Sequence, residues 1–134
     1  LSFYDKSIDA VLVGALDDCL IHEGEYIPVD YKTRGFDLRE GGESFYQNQM
    51  NCYSFLLSAN NLKQPAYAYL IYFIPKEVKS GGAVQFAIEV KKIWTSIENA
   101  FSTFKEAVKV LRGPIPESHN SCQFCSWGKN ILTV

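Results

Sequence analysis

The sequence predicts a mixed α/β domain in which helices flank a small sheet. Three observations carry that prediction. Residues 9–20 and 25–32 are strand-like runs separated by Glu23-Gly24, a two-residue hairpin signal. Capping-box spacings at Ser44/Gln47 and at Thr95/Glu98 each open an amphipathic segment. Two further strand-like runs lie between those helices.

Taken in order, the first hairpin is followed by a polar, Gly-containing loop over residues 33–42. The helix opened by Ser44 places Phe45, Gln49, Tyr53 and Leu56 on one face, with Met50 and Leu57 beside them. Pro65 precedes a third strand over residues 66–74, rich in Tyr, Ile and Phe. Lys79-Ser80-Gly81-Gly82 forms a loop, and Val84, Phe86, Ile88 and Val90 alternate along a fourth strand. The second helix carries Ile97, Phe101, Phe104, Val108 and Leu111 on one stripe and ends at Gly113-Pro114. Residues 114–134 form a cysteine-bearing tail.

The 134 residues suit a single domain, 1–134, and 47% hydrophobic content supplies a core without disulfides. Thirteen basic against 15 acidic side chains give a net charge of -2, which excludes a polycationic scaffold and a disordered acidic tail. A local basic groove for nucleic acid remains compatible with that balance. No apolar run approaches the roughly 20 residues of a membrane helix, and no signal pattern opens the chain. A cytoplasmic protein with no membrane partner is expected. The chain begins at Leu1 rather than Met, so a piece of a longer protein is also expected.

The hairpin holds the chemistry. A two-residue loop sets Leu20 opposite Ile27 and Asp17 opposite Asp30, with Lys32 on the carboxylate face. Leu16, Leu20, Ile27 and Val29 fall on the other, core face. Opposed carboxylates with Cβ atoms about 5 Å apart repel unless positive charge lies between them. Lys32 supplies part of it and a divalent cation the rest. Two carboxylates with water and a backbone carbonyl suit magnesium or manganese. The chemistry that fits is phosphodiester hydrolysis, with Lys32 orienting water or stabilising developing charge. The plainer alternative makes Asp17 and Asp30 strand-end residues and Lys32 their surface ion-pair partner, and a longer turn shifts the facing pair. Asp18, one residue out of phase with Asp17, points to the opposite face.

Gly14-Ala15-Leu16-Asp17, His22-Glu23-Gly24-Glu25-Tyr26, Val29-Asp30-Tyr31-Lys32-Thr33 and Gln49-Met50-Asn51-Cys52-Tyr53 together resemble the PD-(D/E)XK nuclease superfamily. They look most like its RecB-like, CRISPR-associated exonuclease-like branch, where a G-x-x-D strand precedes a D-Y-K-[ST] strand and a Q-x-x-x-Y helix. The resemblance spans residues 9–127 and implies a restriction-endonuclease-like core. It implies that Asp17 and Asp30 ligate a metal, with the Tyr31 carbonyl as third ligand, and that Lys32 is the catalytic lysine. Gln49 and Tyr53 are implied to contact the DNA strand near the active site. From the residues alone, Tyr53 reads as a core aromatic, whereas Gln49 on an apolar face demands hydrogen-bond partners.

The implied activity is a magnesium- or manganese-dependent DNA nuclease, exonuclease-like on single-stranded ends in repair, recombination or phage defence. A non-catalytic DNA-binding module and an incomplete fragment are the rivals. Relatives carry a helical region before the first strand that residues 1–7 are too short to hold, so a truncated N-terminus is expected. Cys122 and Cys125 resemble the start of an iron–sulfur motif, yet no further cysteine follows, and His119 alone does not complete a zinc site. Neither an iron–sulfur cluster nor zinc is expected there. No phosphate-binding G-x-x-x-x-G-K-[ST] occurs, so a helicase or other nuclease-complex subunit would be a separate partner. Positive charge for a DNA track is sought at Lys32, Arg34, Arg39, Lys91, Lys92, Lys105, Lys109 and Arg112.

Overall fold

The computed structural model describes residues 1–37, 40–119 and 121–131. Strands β1 (Ser2–Asp5) and β2 (Ala10–Val13) pair antiparallel as a separate hairpin. β3 (Asp18–His22), β4 (Glu25–Thr33), β5 (Tyr67–Val78) and β6 (Val84–Trp94) form a four-stranded sheet in that order. β4 and β5 run parallel, joined across α1 (Gln47–Ala59), and the remaining pairs are antiparallel. α2 (Ile97–Arg112) follows the sheet, and α3 (Gln123–Ile131) forms within the cysteine-bearing tail. The mixed sheet flanked by helices is the architecture that the sequence predicts.

The β3–β4 turn is the expected one. Glu23 and Gly24 both have positive φ, 50° and 77°, the pattern of a two-residue turn whose twist matches its strands. Leu20 consequently pairs with Ile27. The single strand expected over residues 9–20 is instead two strands in two sheets. Between them, Gly14 passes so close to α1 that a Cβ there would meet Leu56 Cδ1 at 2.6 Å. Gly14 also exchanges backbone hydrogen bonds with Leu1, which ties this passage to the chain start. The strand at Ser2–Asp5 lies in residues that sequence periodicity left unassigned.

α1 packs on one face of the sheet. Met50 and Tyr53 join Ala68, Leu70, Tyr72, Ile74 and Ile93 in the core. α2 packs on α1, and Phe3 of β1 closes the gap, with its ring 5.0 Å from Phe55 and 6.4 Å from Phe104. Buried polar side chains of α1 pin the β6–α2 corner. Asn51 accepts from the Ser96 N–H, and the Ser54 hydroxyl donates to Thr95.

Local expectations shift for identifiable reasons. Ser44 lies in a 3₁₀ turn (Gly42–Tyr46), and α1 begins after it at Gln47 with no side-chain cap. The Gln47 amide is committed elsewhere, donating to Asn51 and to the Trp94 carbonyl, so the Ser44/Gln47 capping box does not form. Phe45, placed in that turn, is 83% exposed rather than on the core face. At α2 the cap is Ser96, one residue beyond Thr95, because Thr95 is held by Ser54 and by the Ala66 carbonyl just before β5. Leu20 and Leu111 are exposed. So are Val84, Phe86, Ile88 and Val90, whose alternation faces away from α1. Among the described residues no helix is long and apolar enough to cross a membrane.

Candidate active site

The site is assembled on the α1 side of β4. Strand alternation directs Asp30 and Lys32 to that face, and the parallel register places Lys32 beside Tyr72 of β5. Asp30 is only 1% exposed. A carboxylate taken so far from water needs both an opposite charge and hydrogen bonds. Lys32 Nζ lies 2.5 Å from Asp30 Oδ2 as an ion pair. Gln49 of α1 completes the arrangement: its amide N–H donates to Asp30 Oδ1 at 3.0 Å and to the Tyr53 hydroxyl at 2.8 Å. Its carbonyl oxygen accepts from Lys32 at 3.2 Å. The demand for partners that the sequence places on Gln49 is thus met by the acid and the lysine together. Tyr53, largely buried, joins through its hydroxyl while its ring packs in the core.

Asp17 falls just outside β3, so the expected ladder pair with Asp30 is not formed; the last registered pair is Asp18 with Val29. The exposed Asp17 carboxylate nevertheless turns to the same place in β4, accepting the Tyr31 backbone N–H at 3.1 Å. Asp18 points to the opposite face, as its phase requires. It accepts from the Tyr31 hydroxyl at 2.8 Å and from the Cys19 N–H at 2.7 Å. Those two bonds, the hydroxyl foremost, hold the Asp18 carboxyl below its ordinary range; the bond to Asp18, then burial, raises the Tyr31 phenol.

The donor set suits a hard divalent cation. Asp30 Oδ2 is buried, touched by an ammonium, and accepts no aligned hydrogen bond among the described residues, which leaves lone-pair capacity for a cation. Asp17 and Asp30 both adjoin the Tyr31 backbone, so the ligands available there are all oxygens. Among the described residues no group of three or more His, Cys, Asp or Glu side chains converges on one point.

Sequence periodicity missed an aromatic wall. Tyr46 lies under the Lys32 ammonium, 4.7 Å from nitrogen to ring centre, and meets Tyr72 edge-on. The Tyr72 hydroxyl is buried without a hydrogen-bond partner among the described residues, and burial first, then Tyr46, raises its phenol while Arg34 opposes them. The missed signal was register: only the parallel alignment of β4 with β5 puts Tyr72 next to Lys32. Arg34 also joins this face, with its guanidinium over the Tyr72 and Phe36 rings. Of the remaining basic residues proposed for a DNA track, Lys92 covers the Tyr67 and Trp94 rings, and Arg112 donates to the Asp9 carbonyl. Arg39 lies outside the described residues.

Away from the site, Cys122 immediately precedes α3 and its sulfur accepts the Cys125 backbone N–H at 3.4 Å. That bond and one from the Cys125 thiol lower the Cys122 thiol, while His119 is engaged with Ser121. Burial raises the thiols of Cys19 and Cys52.

A family model of the PD-(D/E)XK nuclease superfamily matches residues 2–129. Neither a curated protein nor a solved structure gives a significant match. The four-stranded mixed sheet with its flanking helices is consistent with a restriction-endonuclease-like fold.

Proposed function

The chain belongs to the PD-(D/E)XK nuclease superfamily, and from that membership we propose that it is a divalent-metal-dependent deoxyribonuclease of RecB-like type. In this reading residues 1–134 work as one nuclease domain that degrades DNA from single-stranded ends. The observation that carries it is the buried Asp30–Lys32–Gln49 arrangement. An ion pair kept out of water is expensive, and apolar residues of similar volume would hold the strand more cheaply. A reactive site gives a reason for bearing that cost.

Asp30 and Asp17, with the Tyr31 carbonyl, would hold magnesium or manganese, which supplies Lewis-acid polarisation of the phosphodiester and a more acidic water. Lys32 sits against Asp30 and is positioned to stabilise negative charge gathering on the phosphoryl oxygens. Gln49 orients both groups at once, because its two amide ends are fixed by opposite partners. Tyr53 fixes the amide in turn. Gln49 and Tyr53 thereby act as positioning residues, and contact with the DNA strand is a second role for the same pair.

The test is cleavage of end-labelled single- and double-stranded DNA with magnesium, manganese or EDTA, comparing the wild type with Asp30→Ala. Metal-dependent cleavage lost in the variant establishes the nuclease and its site, and the product ladder gives the polarity. Absence of metal-dependent cleavage by the wild type overturns the proposal. DNA binding without cleavage would instead favour a non-catalytic module.

A further inference from the structure

Arg34 immediately follows β4 and reaches the face that carries Lys32, but the two cations are treated differently. Lys32 is neutralised by Asp30. Arg34 makes no ion pair among the described residues; its guanidinium carbon lies 5.3 Å from the Phe36 ring centre and 5.7 Å from that of Tyr72. Gly42 approaches it from the 3₁₀ turn, where a Cβ would come within 3.4 Å of Arg34 Nη1. Arg34 is thus half-buried, with its guanidinium in cation–π contact with two rings. Contact with ring faces uses none of its N–H donors, and a guanidinium with free donors can take a phosphate bidentately. Phe36, at the rim, is 60% exposed and carries the Arg34 guanidinium against its ring. An exposed ring beside an unspent guanidinium matches one nucleotide: a base for the ring and a phosphate for the arginine.

We propose that Arg34 and Phe36 form a single-stranded nucleotide subsite adjoining Lys32, with Arg34 binding a backbone phosphate and Phe36 stacking on its base. Tyr72 positions the guanidinium from beneath. A base can reach Phe36 only when it is not stacked within a duplex, so the subsite selects single-stranded nucleic acid. This inference rests on the nuclease reading for its biological purpose, but its test reads binding alone.

The probe is a fluorescein-labelled twelve-nucleotide oligodeoxythymidylate, titrated in EDTA across a salt series, with the matching duplex as comparison. Phe36→Ala removes an exposed ring and leaves the core untouched. It weakens oligodeoxythymidylate binding about tenfold with an unchanged salt slope, and duplex binding stays the same. Arg34→Gln weakens both about tenfold and lowers the log–log salt slope by about 0.7 on the single strand. Wild type that fails to bind the oligonucleotide, or either variant binding like wild type, overturns the subsite. Failure of the nuclease reading looks different. Wild type and Asp30→Asn would then share a background rate of cleavage while the Arg34 and Phe36 effects on binding persist.

Discussion

The two faces of the four-stranded sheet are built from alternate residues of the same strands and differ in nearly every physical respect. Along β5, Ala68, Leu70, Tyr72 and Ile74 are buried beneath α1, while Tyr67, Tyr69, Ile71 and Phe73 between them are half-buried. The buried face also holds the polar groups that need explanation: Asp30, Lys32, Gln49 and the unpartnered Tyr72 hydroxyl. The other face carries aromatic and β-branched side chains extending onto Phe86, Ile88, Val90 and Trp94, with Lys92 across two of its rings. The candidate site therefore lies where water is scarce and electrostatic interactions are strong, not where apolar surface is plentiful. Apolar alternation in a strand marks a face, but it does not say which face is covered.

That contrast can be broken most severely at the site. Asp30→Asn keeps the shape and an acceptor for Gln49 but removes the charge. DNA cleavage should fall by about a thousandfold, while thermal melting followed by circular dichroism stays cooperative. Collapse of the melt would instead make Asp30 a structural acid. The next largest effect compares neighbours on opposite faces. Leu70→Ala should cost about 2–5 kcal/mol in urea unfolding, and Ile71→Ala no more than about 1 kcal/mol. Equal losses would mean that both faces are equally enclosed in solution.

Gly14→Ala sharpens the boundary between the two sheets. The new methyl group has to displace Leu56, itself 1% exposed, so a loss of about 1–3 kcal/mol is expected by urea unfolding. An unchanged midpoint would mean that the close passage is not tight.

The smallest effect lies on the open face, at the Tyr31–Asp18 hydrogen bond. Because the folded-state carboxyl of Asp18 is lowered, its contribution is present above the unfolded value near 3.8 and is lost as pH falls through the folded one. Tyr31→Phe should flatten the acid limb of a stability-against-pH curve slightly; a full-sized acid limb in the variant would place the dependence elsewhere.

Much of the site was legible because its spacing is local. A two-residue turn fixes one hairpin register, alternation puts Asp30 and Lys32 together, and an i, i+4 interval aligns Gln49 with Tyr53. What stayed hidden depends on distant partners. Asp17 leaves the ladder because the chain breaks near Gly14 to pass α1, a contact with Leu56 that no local pattern announces. Tyr72 and the stacking of Arg34 depend on a parallel register across a whole helix. The shifted cap at Ser96 follows from competition by Ser54 for Thr95, again a long-range bond. The exposed stripe of β6 carries the same alternation as a buried one, so period alone does not tell an open face from a covered one.

The parallel pairing of β4 with β5 has a kinetic consequence. An antiparallel hairpin zips outward from its turn within about 1–10 μs, but a parallel pair cannot start that way. The β3–β4 hairpin can therefore form early, carrying Asp30 and Lys32 on a strand still open to water along one edge. Gln49 reaches them when α1 docks, and Tyr72 arrives last, once the chain has returned through the crossover. Loop-closure entropy is spent before those contacts repay it, making this the slow stage of folding. On a growing polypeptide the same order holds by necessity, because β5 is synthesised after α1. A nascent chain that has not yet emerged past β5 carries the acids and the lysine, still hydrated, and lacks the enclosure that the finished fold gives Asp30.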